Sequence, residues 1–143
     1  MIAIGCDHGG FQMKNEIIAY LKEKGIECTD FGTYNEQSCD YPVYAKKVAN
    51  AVSKGEAEKG ILVCGTGIGM SIAANKIKGV RSASVTNEYS AEFTRRHNDL
   101  NVLCLGGRTL GIEIAKRIVD IFLNTPFDGG RHSVRVGMYE SDE

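Results

Sequence analysis

Proline is scarce, at 2 of 143 residues, and no apolar run approaches the ~20 residues that a membrane-spanning helix needs. Neither sign of charge is in excess: 17 Lys and Arg stand against 18 Asp and Glu, a formal net charge of −1. That argues against a nucleic-acid binder, which carries a basic footprint. The five cysteines, at 6, 28, 39, 64 and 104, include no pair at the C-x-x-C spacing of zinc and redox motifs. The first residues, MIAIGCDHGG, have no basic segment followed by an apolar stretch and do not read as a signal peptide. Reduced thiols in a cytoplasm are therefore expected. No linker, low-complexity tract or internal repeat interrupts the chain.

What is present is the material of one globular domain, expected over 1–143 with a tail or last helix from about 129. Hydrophobic residues make up 43% and charged ones 24%, which excludes a disordered chain. Glycine is abundant, at 17 residues, and gathers at the ends of apolar runs, where tight turns and close backbone approaches need it.

Short apolar runs alternate with longer amphipathic ones. Met1–Cys6, Ile26–Phe31, Gly60–Cys64, Val80–Val85 and Asn101–Leu105 read as strands. Gly60–Cys64 is a continuous apolar run of the kind found at the centre of a parallel sheet. Phe11–Lys24 reads as a helix, with Phe11, Ile17, Ile18 and Leu21 at near-helical spacing and Gly25 closing it. A second helix runs from a cap at Asp40 to about Lys54, with Val43, Ala45, Val48, Ala51 and Val52 as its buried side. Further helices are expected over Met70–Ile77, from a Ser90 cap to about His97, and over Leu110–Leu123. The pattern predicts a single-domain α/β three-layer sandwich with a five-stranded, Rossmann-like parallel sheet.

Such sheets bind ligands beyond the carboxyl ends of their strands. Three places there carry unusual residues: Asp7-His8, Cys64–Gly69 and Gly106-Gly107-Arg108. Cys64 ends the central strand just before a helix, where the dipole favours a thiolate. Gly65, Thr66, Gly67 and Gly69 form a turn whose backbone N–H groups can face an anion. Together they suit proton abstraction next to a carbonyl; a buried structural thiol is the other reading. The turn is not a dinucleotide fingerprint, since position 70 is Met70, and no Gly-Lys-Ser/Thr phosphate loop occurs.

His97 and Asn98 end the fourth helix, where His97 can serve acid–base chemistry or simply meet the helix's negative end. Arg131 and Arg135 lie four apart, on one side of any last helix, and with Arg108 suit phosphate. Taken alone, Arg131 and Arg135 also fit a solvated basic tail. Arg95, Arg96 and Arg117 read as solvated. The Met70–Ile77 helix is apolar and small on most sides, so it must be covered twice, by the sheet and by either a partner subunit or neighbouring helices of the same chain.

The blocks GCDHGG (5–10), DYP (40–42), CGTGIGMSIAANK (64–76), RRHNDLNVL (95–103), GGR (106–108) and GRHSVRV (130–136), in this order, resemble the type B ribose-5-phosphate isomerases. These sit within a wider group that includes allose- and galactose-6-phosphate isomerases. The resemblance runs from about Ile2 to Val136. It implies interconversion of ribose 5-phosphate and ribulose 5-phosphate through an enediolate, with no cofactor and no metal. It assigns Cys64 as base, and Gly65, Thr66, Gly67 and Gly69 to the enediolate oxygens. Asp7 and Tyr41 go to the sugar, His8, Arg108, Arg131 and Arg135 to the phosphate, and His97, beside Asn98, to ring opening. It also implies a homodimer with shared active sites, the partner supplying His97, Asn98 and Arg108, and leaves a tetramer open. A branch with a glutamate base is excluded, because no Asp or Glu lies between Glu58 and Glu88. Isomerisation of a six-carbon sugar phosphate, a phosphosugar-binding sensor and a phosphocarrier using Cys6 are the competing readings.

Overall fold

A computed structural model describes residues 1–141; residues 142 and 143, the end of the expected domain, lie outside the described residues. Five strands are formed: β1 (Ile2–Cys6), β2 (Cys28–Asp30), β3 (Lys59–Cys64), β4 (Ser82–Ser84) and β5 (Val102–Gly106). Between and after them come α1 (Phe11–Glu23), α2 (Tyr41–Ser53), α3 (Ile68–Ala74), α4 (Glu88–Asn98), α5 (Ile112–Asn124) and α6 (Arg131–Gly137). A 3-10 turn at His8–Gly10 joins β1 to α1. Every pairing is parallel, in the order β2-β1-β3-β5-β4. This is the expected α/β, Rossmann-like sandwich.

Alternate strand residues go to opposite faces and build two cores. Ile4, Cys6, Ile61, Val63, Leu103 and Leu105 pack with Ile17, Leu21, Ala91, Ile118 and Phe122 of α1, α4 and α5. Ala3, Leu62, Cys64, Val102 and Cys104 pack with Ala45, Val48, Met70 and Ala74 of α2 and α3. From β1 the chain crosses to β2 on one side, then returns to lay β3 on the other. The crevice of a doubly wound sheet opens at that reversal. Asp7 and Cys64 leave the sheet beside it, and β5 brings Gly106 level with Cys64.

Several local expectations are corrected. Val43 is half exposed, and Ala49 takes a buried place on α2. Helix α3 stops at Ala74 rather than Ile77, because Asn75 turns its amide onto β4. It donates to the Ser82 carbonyl at 2.9 Å and accepts from the Ser82 N–H at 2.8 Å. Helix α4 begins at Glu88 with Asn87 as cap, whose Oδ1 accepts from the Ser90 N–H at 2.8 Å, so Ser90 is the capped residue. Arg95 is buried, not solvated. Its guanidinium donates to the carbonyls of Leu100 (2.6 Å) and Thr125 (3.0 Å), tying the ends of α4 and α5. Lys14, on the inner side of α1, is fully buried, with Nζ 2.8 Å from Asp30 Oδ1 and 2.5 Å from the Thr33 carbonyl.

The apolar helix α3 is covered on one side only. Met70 and Ala74 are buried, while Ile68 and Ile72, one turn apart, remain 55% and 58% exposed.

Candidate active site

Cys64 is the last residue of β3 and is 6% exposed. Its sulfur accepts a hydrogen bond from the Gly67 N–H at 3.1 Å. Gly67 makes that bond with φ at 80°, in the left-handed region, and a Cβ there would sit 2.8 Å from Ser84 Oγ. Glycine is therefore required on both counts. Thr66 is exposed, its Oγ1 accepting from the Ile68 N–H at 3.2 Å and its carbonyl from Ser84 Oγ at 2.9 Å. Tyr41, at the first turn of α2, lies against Gly69 so closely that a Cβ on Gly69 would fall 2.7 Å from the ring.

The other strand ends close around this turn. Gly107 N–H donates to the Cys64 carbonyl at 2.7 Å and Arg108 N–H to the Gly65 carbonyl at 3.0 Å. Asp7 Oδ1 accepts from the N–H groups of Gly9 (2.9 Å) and Gly10 (3.2 Å), which shapes the 3-10 turn. The Cys39 N–H donates to His8 Nδ1 at 3.2 Å, leaving Nε2 as the nitrogen of neutral His8 that carries the proton. His8, Gly9, Gln12, Glu36, Gly107 and Arg108 line a cleft of about 250 Å³. Gln12 Nε2 and Glu36 Oε1, 3.2 Å apart across its rim, were not signalled by the sequence.

The remaining thiols have other environments. Burial pushes Cys6 and Cys28 up to about 11, and drives Cys104 up as well, with Cys64 beside it adding to the rise. Cys6 is also wholly inside the core, which removes it as a phosphoryl acceptor. Cys39 stands with its sulfur 3.9 Å from His8 Nδ1.

His97, Asn98, Arg131 and Arg135 form a second cluster, toward the amino end of the strands. Helix α4 starts beyond the carboxyl end of β4 and returns to the amino end of β5, so its last residues lie a strand's length from Cys64, about 16 Å for six residues. His97 stacks on His132 with ring centroids 4.1 Å apart and planes 11° from parallel, and packs against the inclined ring of Phe93 at 4.9 Å. Asn98 Nδ2 donates to the Tyr139 hydroxyl at 3.0 Å. Arg131 and Arg135 are exposed on α6. Arg108 does not travel with His97 and Asn98. It sits in the cleft beside its own chain's Gly65, because β5 is the immediate neighbour of β3, and this corrects the expectation that it comes from a partner.

Asp128 and His132 also escaped the sequence reading. With His97 they place ligand-type atoms within 4.8 Å of one another. Near-parallel rings do not aim their lone pairs at one ion, and Asp128 is already held by Arg96 at 3.2 Å. The arrangement does not fit a metal without turning both rings.

A family model described as ribose/galactose isomerase matches residues 2–139. The chain belongs to this family. It is 53% identical over 135 residues to ribose-5-phosphate isomerase B of Escherichia coli K12, covering 94% of this chain and 91% of that relative. The solved ribose 5-phosphate isomerase of Thermotoga maritima is 52% identical with a TM-score of 0.96, covering 97% of this chain and 96% of that one. A D-erythrulose-4-phosphate isomerase of Pectobacterium atrosepticum is 42% identical over 147 residues, covering 99% of this chain and 96% of the relative. Members of the family thus differ in the sugar phosphate they act on.

Proposed function

We propose that this chain interconverts ribose 5-phosphate and ribulose 5-phosphate, with Cys64 as the base and no metal or organic cofactor. The observation that carries the reading is the Cys64 sulfur at the end of β3, held by the Gly67 N–H beside the His8–Arg108 cleft, in a chain 53% identical to a ribose-5-phosphate isomerase. The thiolate takes the C2 proton of the open-chain aldose, giving a thiol and an enediolate. The thiol then returns a proton to C1 while the proton on O2 passes to O1, leaving the ketose. The Gly65, Thr66, Gly67 and Gly69 turn stabilises the enediolate oxygens as charge develops. Asp7 and Tyr41 hold sugar hydroxyls, and His8 and Arg108 hold phosphate at the cleft.

Ribose 5-phosphate arrives as a ring, and ring opening needs a proton taken from the O1 hydroxyl and one given to the ring oxygen. His97 serves that step, with Asn98 beside it and Arg131 and Arg135 on the phosphate. Within one chain these four stand a strand's length from Cys64, so we assign them to a partner subunit in a homodimer with shared sites. The exposed Ile68 and Ile72 on α3 support such a contact. Five free thiols support a cytoplasmic setting.

Cys64→Ala tests the base directly. Isomerisation should fall by about a thousandfold or more, together with solvent exchange of the substrate's C2 proton, in a protein of unchanged fold. Near-normal turnover would remove Cys64 from the chemistry, and binding without exchange in the unaltered protein would favour a phosphosugar sensor. The D-erythrulose-4-phosphate relative favours a second reading in which shorter sugars are also turned over. The galactose branch in the family's description favours a six-carbon alternative, with allose 6-phosphate as one such substrate. Comparing kcat/KM for four-, five- and six-carbon phosphates decides among them.

A further inference from the structure

His132 lies outside every role assigned above, yet it makes the closest ring contact of His97. The two imidazoles are stacked at 4.1 Å and 11°, and the Phe93 ring packs against His97 at 4.9 Å with its plane inclined by 65°. His97 is therefore held by two rings, one from its own helix and the other from α6. The neighbourhood of His132 is strongly basic. Arg131 and Arg135 share its helix, His97 faces it from α4, and among the described residues Asp128 from the preceding loop is the one carboxylate facing it, itself paired with Arg96. Partial burial and these cations hold His132 below the usual histidine range, so it is neutral at neutral pH. A neutral ring stacks on either protonation state of His97 without repelling it, which a residue that both takes and gives a proton requires.

We propose that His132 is a positioning residue, whose stacked ring holds the His97 imidazole in the orientation its proton transfer needs. This rests on His97 acting in the reaction, as read above. A general acid–base group works only from a narrow range of orientations, and a misplacement of about 1 Å can cost about a hundredfold. His132 itself transfers no proton to the substrate in this scheme.

The test is a double-mutant cycle on ribose 5-phosphate with His132→Ala, His97→Ala and the double variant, and with His132→Phe to keep a flat ring without ionisation. His132→Ala should lower kcat by about tenfold to a hundredfold with KM changed by about twofold or less. The double variant should be no slower than His97→Ala alone, and His132→Phe should recover most of the lost rate. Losses that multiply in the double variant, a loss carried by KM, or a failure of Phe to rescue in a protein with normal thermal unfolding would each overturn the proposal. Full activity in His97→Ala would instead remove His97 from the reaction, and the positioning role with it.

Discussion

At the scale of single residues, the site depends on how little room the backbone leaves around the thiol. Gly67 turns through the left-handed region so that its N–H reaches sulfur, and Gly69 leaves room for the Tyr41 ring. Gly69→Ala would put a methyl group 2.7 Å from that ring, closer than any real contact, so Tyr41 must swing away from the turn. We expect about a tenfold loss in kcat/KM with little change in thermal stability, measured by steady-state kinetics beside an unfolding curve. Unchanged kinetics would show that Tyr41 has no part in holding the sugar. Cys64 was legible in the sequence because a glycine turn after an apolar strand is an unusual setting for a cysteine. His132 was not, because its importance lies in a ring that meets it from another helix. Arg95 was misread as a solvated charge for a related reason: periodicity sends charged residues outward, and only tertiary partners reveal buried exceptions such as Arg95 and Lys14.

At the scale of elements, the buried Lys14 ties α1 to β2 and to the loop that follows. The cation has no exposure while the Asp30 side chain keeps 32% of its own, so the two halves of the pair are not equivalent. Asp30→Ala leaves a buried ammonium with one carbonyl for company and should cost about 3 kcal/mol. Lys14→Met leaves a carboxylate that water still reaches and should cost about 1 kcal/mol. Urea unfolding of the two variants checks the asymmetry; equal losses would mean that the pair is worth only its Coulomb attraction. Element identities were readable, the helices from their period and the strands from short apolar runs. Their ends were not. Helix α3 stops where Asn75 finds β4, and α4 starts three residues earlier than expected because Asn87 reaches the Ser90 N–H. Both depend on side chains meeting backbone rather than on periodicity.

At the scale of the molecule, the sheet order places β5 beside β3 and leaves β4 at the edge. That order, which alternation of strands and helices does not specify, puts Arg108 with Cys64, while the return of α4 to the amino end of β5 carries His97 away from both. If two chains share each site, mixing Cys64→Ala with His97→Ala subunits should restore activity. Random pairing makes half the dimers mixed, each with one intact site of two, so about one quarter of normal activity is expected. No recovery after co-refolding would place both residues' work within one chain. Stability carries a second signature. His132 is held below its ordinary value, so as pH falls from about 6.5 the unfolded chain takes up a proton before the folded one does. Stability therefore falls through that window and is unaffected above it. His132→Phe should flatten this part of the melting-temperature profile between about pH 5 and 7.5, and a profile parallel to that of the unaltered protein would contradict the shift.

The thiol and the imidazole lie toward opposite ends of the strands, so, if sites are shared, a solitary subunit is a finished fold without a finished reaction. On the shared-site reading, its turnover per chain falls away on dilution while its circular dichroism stays put, and the rate in a cell rises more steeply than the amount of chain made.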